Sequence, residues 1–374
     1  MVTTANDGVV LLHDLQERKS SKLLDPTHEL YSGAIHRIIC SKNDTEILAA
    51  CENNRILRID TREGTVRNLT DHDESARIKV DRSRSFRLYS VDRNPVKPWE
   101  IACGGSGSLA AGLLDLRFLK VYQEGGRKFF KHVNVLRPDA LETVRKQYKL
   151  SQDCIWKSVT ALKYSKNGKN LVVNNCPGNI VLYDVNNANV KNNIANNVVN
   201  TYNGHQNITT VKGVSFYGDD DEFVLSGSDC GRLFFWDKVS KEVVTCWQGD
   251  EDILNVICPH PSQPVIATSG IDNDVKLWMP SGRKVPSQDH IKNVVMINER
   301  KIRRENEQFM RSSLEDSIDL EAIMAGMVSD GVGDSDDDSE GSASSDEMVD
   351  TDEMNTELEQ FYNQLNRDIQ DQDI

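Results

Sequence analysis

Residues 204–280 contain one order of features twice. The first pass opens with Gly204-His205 and an alternating stretch (Val211, Val214, Phe216). Phe223-Val224-Leu225-Ser226-Gly227 follows, and Leu233-Phe234-Phe235-Trp236-Asp237 closes it. The second runs through Ile253-Leu254-Asn255-Val256-Ile257 and Val265-Ile266-Ala267-Thr268-Ser269-Gly270 to Val275-Lys276-Leu277-Trp278. Trp236 and Trp278 stand 42 residues apart, within the roughly 40–45 of a repeat that makes one four-stranded propeller blade. Short β-branched and aromatic runs punctuated by Gly, Asp and Pro read as an antiparallel meander. A lone meander cannot bury both of its faces, so copies must stack. The expected fold is therefore all-β, a β-propeller.

The rest of the chain supplies more units of this kind. Four-stranded blades are expected at about 32–64, 86–120, 155–187, 204–243 and 250–280, their third strands closing on Asp60, Asp115, Asp184, Asp237 and Trp278. Residues 1–14 read as the end of a further blade: Asp7-Gly8 is a turn, Val9-Val10-Leu11-Leu12 a strand, and His13-Asp14 takes the closing place. The count is five full blades and one partial blade, with an incomplete ring expected to leave a gap or exposed edges. Residues 71–84 read as an exposed edge strand or loop. The Gly- and Ser-rich stretch 104–112 reads as a mobile turn. Residues 124–153 form a basic insertion with a short helix at 141–150, and the Asn-rich stretch 186–200 reads as a surface loop. The propeller spans 1–285. A charged segment of one or two solvated helices follows at 286–328, then an acidic tail at 329–374 with a short helix expected at 356–369. Residues 329–354 hold eleven carboxylates and no Lys or Arg, too few apolar groups to fold.

The net charge of −14 argues against a nucleic-acid coat. The basic stretch Arg77, Lys79, Arg82, Arg84 and Arg87 alternates with acids and reads as a solvated edge, so direct nucleic-acid binding is not expected. No apolar run of about 18 residues exists, so no membrane span is expected. The eight cysteines are scattered and read as small buried residues in a reducing compartment. No nucleophile elbow, phosphate loop or His-Glu-x-x-His occurs, so no catalytic residue, metal ligand or cofactor is expected. His260, between two prolines, reads as a turn residue, and the run 219–222 as a solvated turn.

Two constellations stand out. The first is Asp60-Thr61-Arg62 and Asp115-Leu116-Arg117, Asp-x-Arg at the end of the third strand of two consecutive blades. The other blades carry Gln16, Asn186 and Val239 at the Arg position. An Arg presents a rigid fork of donors. Each Arg either contacts a partner from the rim or pairs with its own Asp and packs blade to blade. The second is an internal hydrogen-bond network. Asp272 precedes Trp278 by six residues, as Asp7 precedes His13. That spacing suits a turn Asp bonded to a His or Trp N–H; Asp229, His205 and Trp236 are expected to belong to it as well. In the tail, Ser335, Ser339 and Ser344 are followed by acids and are phosphorylation candidates.

The segments 204–231 and 259–272, with Gly204-His205, Phe223-Val224-Leu225-Ser226-Gly227-Ser228-Asp229, Pro259-His260-Pro261 and Ser269-Gly270-Ile271-Asp272, resemble the last two blades of a WD-repeat family. Its members are the substrate receptors of cullin-4 RING ubiquitin ligases, the DDB-one and cullin-four associated factors, and member eight and its relatives are nearest. The resemblance covers roughly residues 1–285 and is specific in 204–280. Its N-terminal blades have no counterpart here. It implies that Asp60, Arg62, Asp115 and Arg117 match the family's adaptor-binding boxes, although Ile59 and Leu114 stand where Trp or Tyr is common. It also implies a non-enzymatic receptor. Its partners would be the ligase adaptor (the damaged-DNA-binding protein large subunit), cullin-4 through that adaptor, and an unidentified substrate protein, in nucleus and cytoplasm. The other reading is a WD-repeat scaffold, for example one binding chromatin or histones.

Overall fold

A computed structural model describes residues 1–305 apart from 26, 30–32, 42, 44, 70–77, 79–86, 108–109, 125, 137–157, 187–193, 196 and 283–285. The expected helices at 141–150 and 356–369, the acidic tail, Ser335, Ser339, Ser344 and most of the basic stretch 77–87 lie outside the described residues.

Six successive sheets form a six-bladed propeller arrangement. The first holds β1 (Val2–Thr4), β2 (Val10–Asp14) and β3 (Lys19–Leu24), and the second β4 (Ile35–Cys40), β5 (Glu46–Cys51), β6 (Ile56–Asp60) and β7 (Val66–Asn68). The third begins with β8 (Leu88–Arg93), β9 (Glu100–Gly105) and β10 (Ala111–Asp115). A separate hairpin, β11 (Lys120–Glu124) and β12 (Arg127–Lys131), intervenes before its fourth strand, β13 (Asn134–Leu136). The fourth holds β14 (Ser158–Tyr164), β15 (Asn170–Cys176) and β16 (Ile180–Asp184); β17 (Ile194–Ala195) crosses to pair with β13, and β18 (Val198–Tyr202) completes the sheet. The fifth holds β19 (Val214–Tyr217), β20 (Phe223–Ser226), β21 (Arg232–Asp237) and β22 (Val243–Gln248). The sixth holds β23 (Leu254–Pro259), β24 (Ile266–Gly270) and β25 (Lys276–Trp278). Helix α1 covers residues 288–305.

The blades stack face to face, and the second strands show how. Successive side chains of a strand point to opposite faces. Ile47 and Ala49 pack back on Val10 and Leu24 of the first sheet, while Leu48 and Ala50 pack forward on Leu88 and Val91 of the third. Leu171 and Val173 pack back on Ala111 and Leu113, and Val172 packs forward beside Phe216 and Val224. Val224 packs back and Leu225 forward, against Leu254 and Ile266. In blades two to five both faces of the second strand are dry, which is why these strands read as continuous apolar runs rather than alternating ones.

Several boundaries differ from the sequence expectations. The first sheet has three strands and continues to Leu24. The sixth has three described strands instead of four. The fourth strand of the third blade lies beyond residue 120, displaced by the hairpin insertion. Part of the Asn-rich stretch is strand β18, because Ile180, Val181 and Leu182 offer it a free ladder edge. Gly104 and Gly105 belong to β9 and are buried. A Cβ on Gly104 would sit 2.5 Å from Val159 and one on Gly105 1.8 Å from the Arg87 carbonyl, so these glycines permit close packing rather than motion. The helix expected to be solvated buries one stripe. Ile291, Val294, Val295, Asn298 and Ile302 face the propeller, with Ile291 and Val294 inside the core of blades four and five, the spacing of one helical face.

Candidate interaction face

The turns joining first to second and third to fourth strands lie at one end of each blade. Backbone bonds tie them together there: Thr61 N–H to Thr45, Leu116 N–H to Trp99, Val185 N–H to Lys169 and Lys238 N–H to Glu222. The opposite end carries the second-to-third turns and the connections between blades. Helix α1 sits at that opposite end. Val295 packs on Gly204 and Ile302 on Gly178, and the Asn298 amide donates to the Gly204 carbonyl at 2.8 Å and accepts from Gln206 at 2.7 Å. The Asp-x-Arg face is therefore free of α1.

Each of the five closing aspartates forms the same turn. One carboxylate oxygen accepts the backbone N–H two residues on, at Gln16, Arg62, Arg117, Asn186 and Val239, at 2.9–3.0 Å. This is an Asx turn, a side-chain mimic of a backbone turn. The Asp is a fold element shared by all five blades, and the Arg is what sets two of them apart.

Arg62 closes a fork on Asp60, Nε to Oδ1 at 3.3 Å and Nη2 to Oδ2 at 2.9 Å. Arg117 does the same to Asp115 at 3.0 and 2.7 Å. These bonds hold the Asp60 and Asp115 carboxyls below the usual carboxylate range and raise both guanidinium groups. The pairing of each Arg with its own Asp is thus present, and among the described residues neither guanidinium bonds a residue of another blade. The Arg62 and Arg117 side chains are 68% and 51% exposed. Each guanidinium uses one edge on its Asp and leaves further N–H groups facing outward. Exposed pairs of this kind contribute little to stability. Arg117 has one more contact, lying 4.3 Å over the Trp99 ring and 5.4 Å from the Phe118 ring.

The internal network differs from the one that the spacing predicts. Asp229 bonds neither His205 nor Trp236. Its Oδ1 pairs with the fully buried Lys212, and its Oδ2 accepts the Ile208 and Thr209 N–H groups. A buried ammonium needs a counter-charge, and Lys212 is brought there by the loop that leads into β19. Lys212 also donates to Thr210. The Trp236 indole donates to the Asn203 carbonyl at 2.8 Å. His205 meets that indole edge-on, 5.4 Å between centroids, and contacts Asn174 through Nε2 at 3.1 Å. Full burial pushes its pKa down to about 3, so it stays neutral. The Trp278 indole donates to Thr268, and Asp272 pairs with Lys276 rather than with a ring N–H. Asp7 accepts Val9 N–H in a turn, and His13 lies between the hydroxyls of Thr3 and Ser20, both at 2.7 Å. Each ring has a nearer partner: His13 and Trp278 on their own sheets, Trp236 on the loop at Asn203, and His205 on Asn174 of blade four. His260 is a turn residue, its Nδ1 accepting the Ser262 and Gln263 N–H groups.

Sequence reasoning missed Lys212, whose lone cationic position gave no signal of burial, and the Trp99–Arg117–Phe118 cluster, whose ring lies a whole hairpin away from its Arg. Among the described residues no His, Cys, Asp and Glu group has metal-site geometry, and no helix is long and apolar enough to cross a membrane.

Residues 196–237 and 241–279 match the WD domain, G-beta repeat family. These are blades five and six, with β18 leading in. The chain is also similar to WD repeat protein iqw1 of Schizosaccharomyces pombe, 47% identical over 83 residues, which are 22% of this chain and 10% of that protein. It is 39% identical over 116 residues to Protein ALTERED SEED GERMINATION 2 of Arabidopsis thaliana, covering 28% of this chain and 15% of the relative. It is 38% identical over 105 residues to human DDB1- and CUL4-associated factor 6, covering 26% and 12%. The chain thus matches between a tenth and a seventh of the length of these relatives. The last of these supports the receptor family that the sequence resembles, through its member six; the expectation of member eight gains no support from them.

Proposed function

We propose that this chain is a substrate-recognition subunit of a cullin-4 RING ubiquitin ligase. It docks the DDB1 adaptor through Arg62 and Arg117, set by Asp60 and Asp115, and holds a target protein for ubiquitination without chemistry of its own. One observation carries the reading. The two consecutive blades that bear the Arg present it at the same end, exposed, with outward N–H groups, on the face that α1 leaves open. The name of the human relative is consistent with it. In this reading residues 1–285 are the docking propeller, 286–328 a helical segment and 329–374 an acidic tail, and the protein works in nucleus and cytoplasm. Substrate binds elsewhere on the propeller, through loops that the boxes do not occupy.

The test is capture of purified adaptor by the full chain and by an Arg62→Ala/Arg117→Ala pair. Arg residues central to an interface are frequent hot spots, and loss of both is expected to weaken binding on the order of a hundredfold or more. Val239→Ala, at the same offset in blade five, should bind as wild type. Equal capture by the double variant would remove the boxes from the docking site. Absence of capture by wild type would favour a plain interaction scaffold, for which the eleven carboxylates of residues 329–354 suit a basic partner such as histones.

A further inference from the structure

The two boxes share one local geometry but not one environment. Around Arg62, among the described residues, no ring stacks on the guanidinium. Around Arg117 two rings from two turns meet. Residues 94–99 join β8 to β9, and residues 116–119 leave β10. Trp99 lies under the guanidinium at 4.3 Å and Phe118 beside it at 5.4 Å. Phe118 is 70% exposed and Val96, in the same turn as Trp99, is 58% exposed.

The platform beneath them is rigid. Leu116 N–H donates to the Trp99 carbonyl at 2.7 Å, and Phe118 N–H to the Asp115 carbonyl. The fully buried Asn94 accepts the Val96 and Lys97 N–H groups and donates to the Gly168 carbonyl of the next blade at 3.0 Å. Lys97 reaches Asn186 of that blade at 2.7 Å. A single exposed Phe needs no explanation. An exposed Phe held against a stacked, ion-paired Arg over a half-buried Trp, on a turn tied to two blades, is a preordered surface. Aromatic and Arg side chains that are already fixed lose little freedom on binding and are the types that dominate interfaces.

We infer that Phe118, Trp99 and Arg117 form the principal anchor of the docking face, and that blade three binds the adaptor more strongly than blade two. This rests on the function proposed above and names residues outside the Asp-x-Arg boxes. The matching partner surface offers an apolar pocket for Phe118 beside a carboxylate or carbonyl for the outward N–H groups of Arg117. Phe118 acts as the apolar plug, and Trp99 is a positioning residue that fixes Arg117. A Lys at 117 keeps the charge but not the planar stack or the fork on Asp115.

The test measures affinity of the full chain for purified adaptor, with thermal melts of every variant. Phe118→Ser, which removes an exposed side chain and opens no core, should weaken binding tenfold or more with an unchanged melt. Arg117→Lys should lose nearly as much as Arg117→Ala, and Arg62→Ala should lose less than either. Raised salt should weaken wild type and Phe118→Ser by the same factor, because both keep the charges that salt screens and differ only in an apolar contact. If wild type binds and Phe118→Ser binds equally well, this inference falls and the proposed function stands. The same holds if Arg62→Ala costs more than Arg117→Ala. If wild type binds no adaptor, both fall.

Discussion

At the scale of single residues, the Asp and the Arg of each box have separable duties. Asp60 accepts backbone N–H groups from Arg62 and Glu63 through Oδ1 and bonds the guanidinium through both oxygens. An Asn keeps the turn-forming oxygen and gives up the charge; an Ala gives up both. Asp60→Asn should therefore leave the melting temperature nearly unchanged, whereas Asp60→Ala should lower it by about 1–3 °C through the lost turn bonds. Adaptor affinity should fall in both, because Arg62 loses the partner that fixes its fork. An Asn variant that melts as low as the Ala variant would mean that the ion pair, not the turn, holds this corner. Sequence spacing found the boxes because Asp and Arg are two residues apart on one strand end. It could not find Trp99, which stands 18 residues before Arg117 and reaches it only once β8, β9 and β10 have folded into a sheet.

At the scale of elements, α1 illustrates what charge conceals in a sequence. Arg300, Lys301, Arg303 and Arg304 make the segment look solvated, yet Ile291, Val294, Val295, Asn298 and Ile302 fall on one face and are the residues that dock. The strands were legible for the complementary reason: apolar runs bounded by Gly and Asp leave few alternatives. Ring N–H partners were not, because they depend on which loop arrives, as Asn203 does over Trp236. Asn298 is the polar centre of the α1 contact and is nearly inaccessible to solvent. Replacing it by Leu keeps the branched shape but strands the Gly204 carbonyl and the Gln206 amide. Leaving such buried groups unpaired costs about 1–3 kcal/mol. Asn298→Leu should speed hydrogen exchange across residues 291–302 while the amides of β20 and β21 stay protected. Unchanged exchange in the helix would show that Ile291 and Val294 suffice to hold it.

At the scale of the whole molecule, face-to-face stacking makes each blade depend on a neighbour, and the sixth sheet exposes one of its faces. Cross-strand partners share a face. Ile257 pairs with Thr268, and Ile266 with Trp278; their side chains pack toward blade five, against Leu225 and Leu233. Cys258 pairs with Ala267, and Ala267 with Leu277, on the other face. There Val256 is 51% and Leu277 66% exposed, and Cys258 is exposed too. Among the described residues no strand pairs with the outer side of β25, which adds a ladder edge next to this apolar row. Open edges beside apolar surface favour pairing between chains. The 374-residue chain is therefore expected to self-associate as its concentration rises, with light scattering showing a mass above that of the monomer. Val256→Lys with Leu277→Lys puts two charges on the exposed face and none on the buried one. It should restore monomeric mass at the same concentration and leave the melting temperature within about 1–2 °C of wild type, since neither side chain is buried. If the double variant associates as strongly as wild type, the sticky surface lies elsewhere; if it unfolds instead, this face is covered in solution by another part of the chain.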